Sequence, residues 1–224
     1  MTSTIPAENA RVVPLSKTAR LMVRAMTQAW QAPMFGLVTE VDMTAAMAKR
    51  PEGITVTDVI LAACVGALTE HPRLNAHYAE EAVTEFNDVN IGLAVAADKG
   101  LTVPVIHAAQ KLSLAELSAR RRDLVEKTRT GSIRVTEVTG GTFTVSNLGM
   151  FDITRFTAII NPPQVAILAI GSVIRRHVWN GGEPKWAQIA EFSLTCDHRA
   201  IDGAGGAKFL GALRKRLETS SGAA

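Results

Sequence analysis

Phe192-Ser-Leu-Thr-Cys-Asp-His-Arg-Ala-Ile-Asp-Gly203 carries the chain out of a strand, through a tight connection, and into the glycine-rich start of a closing helix. The strand reading rests on Glu191–Thr195, and the helix is predicted over Gly203–Leu217. His198 therefore falls outside regular structure, where a connection can push a side chain into a cleft. Asp202 lies four residues on, close enough to share one local network with His198. It also has a plain structural reading as the N-cap of the closing helix, its carboxylate accepting backbone N–H groups. Cys196 reads as a small buried residue. By spacing alone, a lone histidine in such a place is first of all a satisfied structural side chain.

Working outward, Val165–Ile170 is an apolar run without alternation, as expected of a strand covered on both faces. Thr142–Ser146 alternates: Phe143 and Val145 face one way, and Thr142, Thr144 and Ser146 the other. Near the start, Leu15, Met22, Met26 and Trp30 recur at helical spacing behind a Ser16 cap, and Phe35–Met43 reads as a strand. Thr57–Glu70 is predicted as a helix lined on one face by Val59, Ile60, Ala63 and Ala67, and His71-Pro72 stops it. Asn90–Ala97 and Leu101–Ile106 read as strands joined by an Asp98-Lys99-Gly100 turn, with Pro104 demoting the second to an edge or a bulge. Leu112–Thr128 is a charged amphipathic helix. Strands and helices mix without regular βαβ repetition, so the expected fold class is α+β, a mixed β-sheet flanked by helices, in one domain.

Composition narrows the function classes. The 224 residues are 47% apolar and 20% charged, with a formal charge of +3. That surplus is too small and too scattered to argue for nucleic acid. The clusters Arg120–Arg122 and Arg214–Arg216 read as solvated helix faces, with an anionic cofactor's phosphates as the alternative. Cys64 and Cys196 form no disulfide framework and no zinc-type spacing, which fits a reducing compartment. Residues 1–10 lack a secretory pattern and the longest apolar run is far short of a membrane span. The expectation is a cytoplasmic protein with no metal, no nucleic acid and no membrane partner. His71, His77, His107 and His177 read as structural or solvent-facing.

The pattern as a whole resembles the catalytic domain of the dihydrolipoamide acyltransferases of 2-oxo acid dehydrogenase complexes. Besides the segment ending at Gly203, the same family is matched in order by Val13-Pro-Leu-Ser16, Pro72-Arg-Leu-Asn75, Gly100-Leu-Thr-Val-Pro-Val-Ile106, Gly140-Gly-Thr-Phe-Thr-Val-Ser-Asn-Leu-Gly149 and Ile159-Ile-Asn-Pro-Pro-Gln-Val-Ala-Ile-Leu-Ala-Ile-Gly171. The resemblance covers residues 12–218. It implies a chloramphenicol acetyltransferase-like fold, built as a homotrimer with active sites between subunits. It also implies coenzyme A as a substrate, and a lipoyl group carried in trans by another domain or chain. His198 matches the family's general base, Ser146 its oxyanion-stabilising hydroxyl, and Asp202 its acidic partner, assigned to holding the histidine loop. An imidazole suits the deprotonation of a thiol at physiological pH, and a fixed hydroxyl suits the charge that develops on the thioester oxygen.

On this reading residues 1–12 form a flexible arm, 13–218 the catalytic domain and 219–224 a disordered tail. Three departures from the family pattern stand out. No lipoyl-bearing or peripheral-subunit-binding segment precedes the domain. Ala19 and Ala25 occupy first-helix positions where the family usually has arginines, with Arg20 and Arg24 one step away. The polar ending after Arg214 offers no apolar plug, so a trimer without a larger hollow core is expected. Two other functions share the fold: a trimeric scaffold with little activity, and acetylation of a small-molecule hydroxyl or amine. Acetyl is the default acyl group, with succinyl and branched acyl groups as alternatives.

Overall fold

The computed structural model describes residues 10–97, 100–179 and 181–219. Most of the proposed arm (1–9), the tail 220–224, the turn residues Asp98 and Lys99, and Asn180 lie outside the described residues.

The uninterrupted apolar run becomes β9 (Ala166–Ile170), buried at every position, in the middle of a mixed sheet. On one side it pairs antiparallel with β11 (Pro184–Asp197), and on the other parallel with β8 (Phe143–Asn147). Beyond β8 come β4 (Ile91–Leu93), parallel to it, and β7 (Val105–Ile106), antiparallel to β4. β1 (Met34–Asp42) closes the far edge against β11, with Phe35 opposite Cys196 and Gly36 opposite Thr195. Mixed pairing of this kind is the α+β arrangement expected from the irregular order of elements.

One face of the sheet carries Phe143, Val145, Phe192, Leu194 and Cys196 into the main core. Against it pack α3 (Val56–Glu70) and α5 (Gly203–Thr219). α3 departs from the expected single apolar face. Leu61, Cys64, Val65 and Leu68 are buried along with the predicted four, because sheet, α4 (Leu114–Thr130) and α5 enclose it. Gly206 lets α5 approach: a Cβ there would lie 2.7 Å from Leu37 Cδ1. Thr219, assigned to the tail, is instead the last residue of α5.

α1 (Lys17–Ala29) starts at Ser16, whose hydroxyl accepts the Ala19 N–H at 3.0 Å. Of its residues only Ala29 is buried; Leu21, Met22 and Val23 are exposed. Pro104 divides the predicted 90–106 hairpin, so β4 pairs with β7 while β5 (Val95–Ala97) pairs separately with β6 (Gly100–Thr102). Four elements were not expected: α2 (Thr44–Ala48), the β2 (Ala76–Ala79) and β3 (Ala82–Glu85) hairpin, and β10 (Ile174–Trp179), which pairs with the first half of β11.

Candidate active site

β11 ends at Asp197, and the connection to α5 is held at every step. The His198 N–H donates to the Pro33 carbonyl (3.0 Å), and the Ala200 and Ile201 N–H groups both donate to the Asp197 carbonyl. Asp197 is buried, and its carboxylate takes a two-pronged grip from Arg199: Nε lies 2.9 Å from Oδ1 and Nη2 2.6 Å from Oδ2. The Arg199 guanidinium also stacks 4.2 Å over the Tyr78 ring, and Arg73 Nε donates to the Ala200 carbonyl at 3.0 Å. A planar fork matched to a carboxylate is the arrangement arginine forms and lysine cannot.

The result is a rigid turn that presents His198 outward. Its ring lies 4.7 Å from Phe35 and, among the described residues, makes no hydrogen bond. Beside it is an open hollow of about 460 Å³ lined by Arg73, Arg199, Ala200, Asp202 and Gly205 among others. A larger concavity, about 950 Å³, lies between β1, the β10–β11 ribbon and α5, and does not include His198.

Asp202 is the N-cap of α5. Its Oδ1 accepts the Gly205 N–H at 2.6 Å, and it forms no bond to His198. The network that holds the histidine loop runs through Asp197, Arg199, Arg73 and Tyr78, not through Asp202. Because Asp202 is exposed, the missing helix arginines leave no buried carboxylate unpaired. Arg20 turns back to donate to the Leu15 carbonyl at 2.7 Å. Arg73 sat in plain view inside the Pro72–Asn75 motif, and Arg199 within the Asp-His-Arg run; each was legible as a motif member before its partner was known.

Ser146 belongs to the opposite end of the sheet. It stands next to last in β8, opposite Ala169 of β9, which in turn faces Ser193 of β11. Its neighbour Asn147 fixes this strand end: Nδ2 donates to Thr57 Oγ1 (3.1 Å) and Oδ1 accepts the Gly149 N–H (2.8 Å). The following loop folds back so closely on Gly171 that a Cβ there would lie 1.8 Å from the Thr154 carbonyl oxygen. His198 is five residues beyond Ser193 along β11. At about 3.3 Å per residue and 4.8 Å between strands, that puts it about 16 Å along the sheet and about 10 Å across it from Ser146. One chain therefore does not bring the two side chains together.

The remaining candidates are occupied elsewhere. Cys196 is buried, and burial followed by the adjacent Asp197 carboxylate pushes its thiol up to about 12, which leaves it inert as a nucleophile. His77 Nε2 meets the Gly141 carbonyl (2.9 Å), His107 Nε2 the Thr136 carbonyl (3.1 Å), and His177 stacks on Trp186. Arg121, read as part of a solvated face, pairs instead with the fully buried Asp58 (2.6 Å). Arg120 pairs with Asp123, so of the Arg120–Arg122 cluster Arg122 keeps its charge free of an ion pair among the described residues. Among the described residues, no group of three or more His, Cys, Asp or Glu could hold a metal, and no helix is long and apolar enough to cross a membrane.

Comparison with known proteins finds relatives over nearly the whole chain. A family model described as 2-oxoacid dehydrogenases acyltransferase (catalytic domain) matches residues 7–223. The dihydrolipoyllysine-residue acetyltransferase component of the pyruvate dehydrogenase complex of Rickettsia felis is 34% identical over 95% of this chain. The chain spans 54% of that relative's length, about half. A solved structure of Azotobacter vinelandii dihydrolipoamide acetyltransferase superposes with a TM-score of 0.90 at 32% identity, covering 96% of both chains. That work concerned a serine, a histidine and an asparagine in the catalytic mechanism, the histidine 52 residues after the serine and the asparagine four after the histidine. A chloramphenicol acetyltransferase superposes with a TM-score of 0.60 at 13% identity over 87% of this chain and 94% of its own, a likeness of fold.

Proposed function

Since the chain belongs to the 2-oxoacid dehydrogenase acyltransferase family, as a catalytic domain, we propose that it moves an acyl group between coenzyme A and dihydrolipoamide, in or alongside a 2-oxo acid dehydrogenase complex. The observation that carries the reading is the imidazole of His198, held outward beside Phe35 with no hydrogen-bond partner among the described residues, on a turn locked by Asp197 and Arg199. Ser146, His198 and Asp202 also repeat the 52- and four-residue intervals of the Azotobacter enzyme's serine, histidine and asparagine.

The chemistry follows from these side chains. An alkyl thiol is mostly protonated at neutral pH, so the acceptor sulfhydryl passes its proton to the His198 imidazole as sulfur attacks the thioester carbonyl. The carbonyl oxygen becomes an oxyanion, and the Ser146 hydroxyl donates to it. Collapse breaks the bond to the departing sulfur, which takes the proton back from the imidazolium. No covalent acyl-enzyme is formed. Asp202 caps α5, the helix that follows the histidine turn.

The proposed assembly is a homotrimer whose sites join the His198 end of one subunit to the Ser146 end of the next. Uncovered apolar side chains support it: Trp30 just before β1, and Met150 and Phe151 just after Ser146. Large apolar side chains left exposed gain by burial against another subunit. The lipoyl group is carried by another domain or another chain. The proposed setting is the cytoplasm, in keeping with two free, buried cysteines.

The test is thiol release from acetyl-CoA with free dihydrolipoamide as acceptor. Wild type is expected to release thiol with saturation in both substrates, and His198→Ala to lose about 10²–10⁴-fold. Turnover untouched by that substitution, or absent in a folded wild-type trimer, rejects the reading.

A further inference from the structure

The β2–β3 hairpin lies against the histidine turn, and one backbone residue ties the two together. The Asp197 N–H donates to the Val165 carbonyl (2.8 Å), and the Val165 N–H donates to the Ala76 carbonyl of β2 (3.2 Å). Two residues on, the Tyr78 N–H donates to the Pro163 carbonyl at 2.8 Å, and His77 forms an antiparallel bridge with Gln164. β2 thus runs beside the segment leading into β9, and Tyr78 and Asp197 take their places from the same few residues, 163–165. The root of the hairpin is closed as well: the Asn75 side-chain amide donates to the Phe86 (2.8 Å) and Asp88 (3.1 Å) carbonyls. Backbone bonds of this kind are short and directional, so the ring at position 78 stands at a fixed place relative to the Asp197 carboxylate.

Arg199 fills the space between them. Its guanidinium is forked onto Asp197 and lies 4.2 Å from the centre of the Tyr78 ring. Asp197 is buried, whereas the Arg199 side chain is 39% exposed, so the guanidinium meets water on its open side. A fork fixes a guanidinium in its own plane; a ring over its face fixes the tilt of that plane. The Arg199 backbone N–H also donates to Asp197 Oδ1 (3.0 Å), which couples the grip on this carboxylate to the path of the chain leaving His198. The hairpin's other support, Glu85 on Arg73, is long (3.4 Å) and about half exposed on both sides, a pair of small worth. The Tyr78 hydroxyl makes no hydrogen bond among the described residues, so the ring is the part that acts.

We propose that Tyr78 is a positioning residue for acyl transfer: its ring seats the Arg199 guanidinium on Asp197 and, through that grip, sets the place of the His198 imidazole. This rests on the acyl-transfer reading. Tyr78 does not line the hollow beside His198, so it acts through Arg199 and leaves substrate binding alone.

The test is steady-state thiol release from acetyl-CoA with dihydrolipoamide, with melting temperature measured alongside. Tyr78→Leu is expected to lower kcat about tenfold and to keep both KM values within about twofold of wild type, since a slightly displaced base loses rate and not affinity. Tyr78→Phe keeps the ring and is expected to restore kcat to within about twofold of wild type. Phe86→Leu loosens the same hairpin from its opposite face, where Phe86 packs on His77 with centroids 4.5 Å apart. It is expected to lower the melting temperature at least as far as Tyr78→Leu while kcat is kept. In the Arg199→Lys background, which has already lost the stack, Tyr78→Leu is expected to cost no further rate. Wild-type kcat in Tyr78→Leu, a Tyr78→Phe protein as slow as Tyr78→Leu, an equal loss of kcat in Phe86→Leu, or fully additive losses in the double variant each overturn the inference while the acyl-transfer reading stands. A folded wild type that transfers no acyl group removes that reading, and this inference with it.

Discussion

If each site takes His198 from one chain and Ser146 from its neighbour, two inactive proteins should repair one another. Alone, His198→Ala lacks the base, a loss of about 10²–10⁴-fold. Ser146→Ala lacks the oxyanion donor, a loss of about 10²–10³-fold. Within one subunit the two residues are about 16 Å apart along the sheet and about 10 Å across it, far beyond a shared hydrogen-bond network. Mixed in one ring, the variants give hybrids in which a single interface joins an intact histidine to an intact serine. Each hybrid trimer then has one complete site of three, or about a third of wild-type activity. The assay is thiol release by hybrids purified through two different affinity tags after co-expression. Sites contained within one chain predict no recovery at all, so the two outcomes differ by well over tenfold. Hybrids as inactive as their parents, at a confirmed trimeric mass, refute the reasoning.

Arg199→Lys keeps the charge but loses the fork on Asp197 and the stack on Tyr78. Because the guanidinium is partly exposed, the stability loss should be modest, about 2 kcal/mol, but the displaced turn should lower kcat about 100-fold with KM less affected, readable in steady-state kinetics. The buried Asp58 gives a pH signature: burial raises its carboxyl, but the bonds from Arg121 and Thr55 outweigh this and hold it below the ordinary range. Its contribution is complete above the unfolded value near ~3.9 and is lost as pH falls through the native one, so melting temperature should drop more steeply below about pH 4 in wild type than in Asp58→Asn. At neutral pH, Arg121→Ala strands the buried carboxylate and should cost about 3 kcal/mol, roughly 6–12 °C by calorimetry; a shift near zero would remove the pair from the stability argument.

What the sequence makes legible follows from the range of the forces involved. Periodicity is local, so the alternation of Phe143–Asn147, the unbroken run of β9 and the cap at Ser16 could be read directly. β10 escaped because Ile174-Arg-Arg-His-Val-Trp179 has cations on both faces: Arg176 bridges Glu40 and Glu191 on one side while Arg175 stacks on Trp186. No alternation of apolar and polar residues survives that arrangement. The Asp58–Arg121 pair was equally hidden, since 63 residues separate its members and each taken alone looks like a helix-surface charge. Of the candidate site, His198, Ser146 and Asp202 could be proposed from motifs, whereas the contacts that hold the His198 turn could not. A motif records which residue types recur together, not which carboxylate a given arginine grips.

The division of labour between Asp197 and Asp202 bears on how the site forms. A general base contributes fully only if it is already placed when substrate arrives, since a misplacement of about 1 Å can cost 10²-fold. In the isolated subunit His198 is already tied through its own N–H to Pro33, through Arg199 to Asp197, and through Ala200 to Arg73, while Asp202 anchors the helix that follows. The Ser146 end is likewise fixed by Asn147 on Thr57 and by the loop packed against Gly171. Neither half waits on its neighbour for order. In the proposed trimer, association then has no loop-ordering entropy to offset, and what it would add is the juxtaposition itself: the proposed base and the proposed oxyanion donor, each held in its own subunit, closing on the space between them.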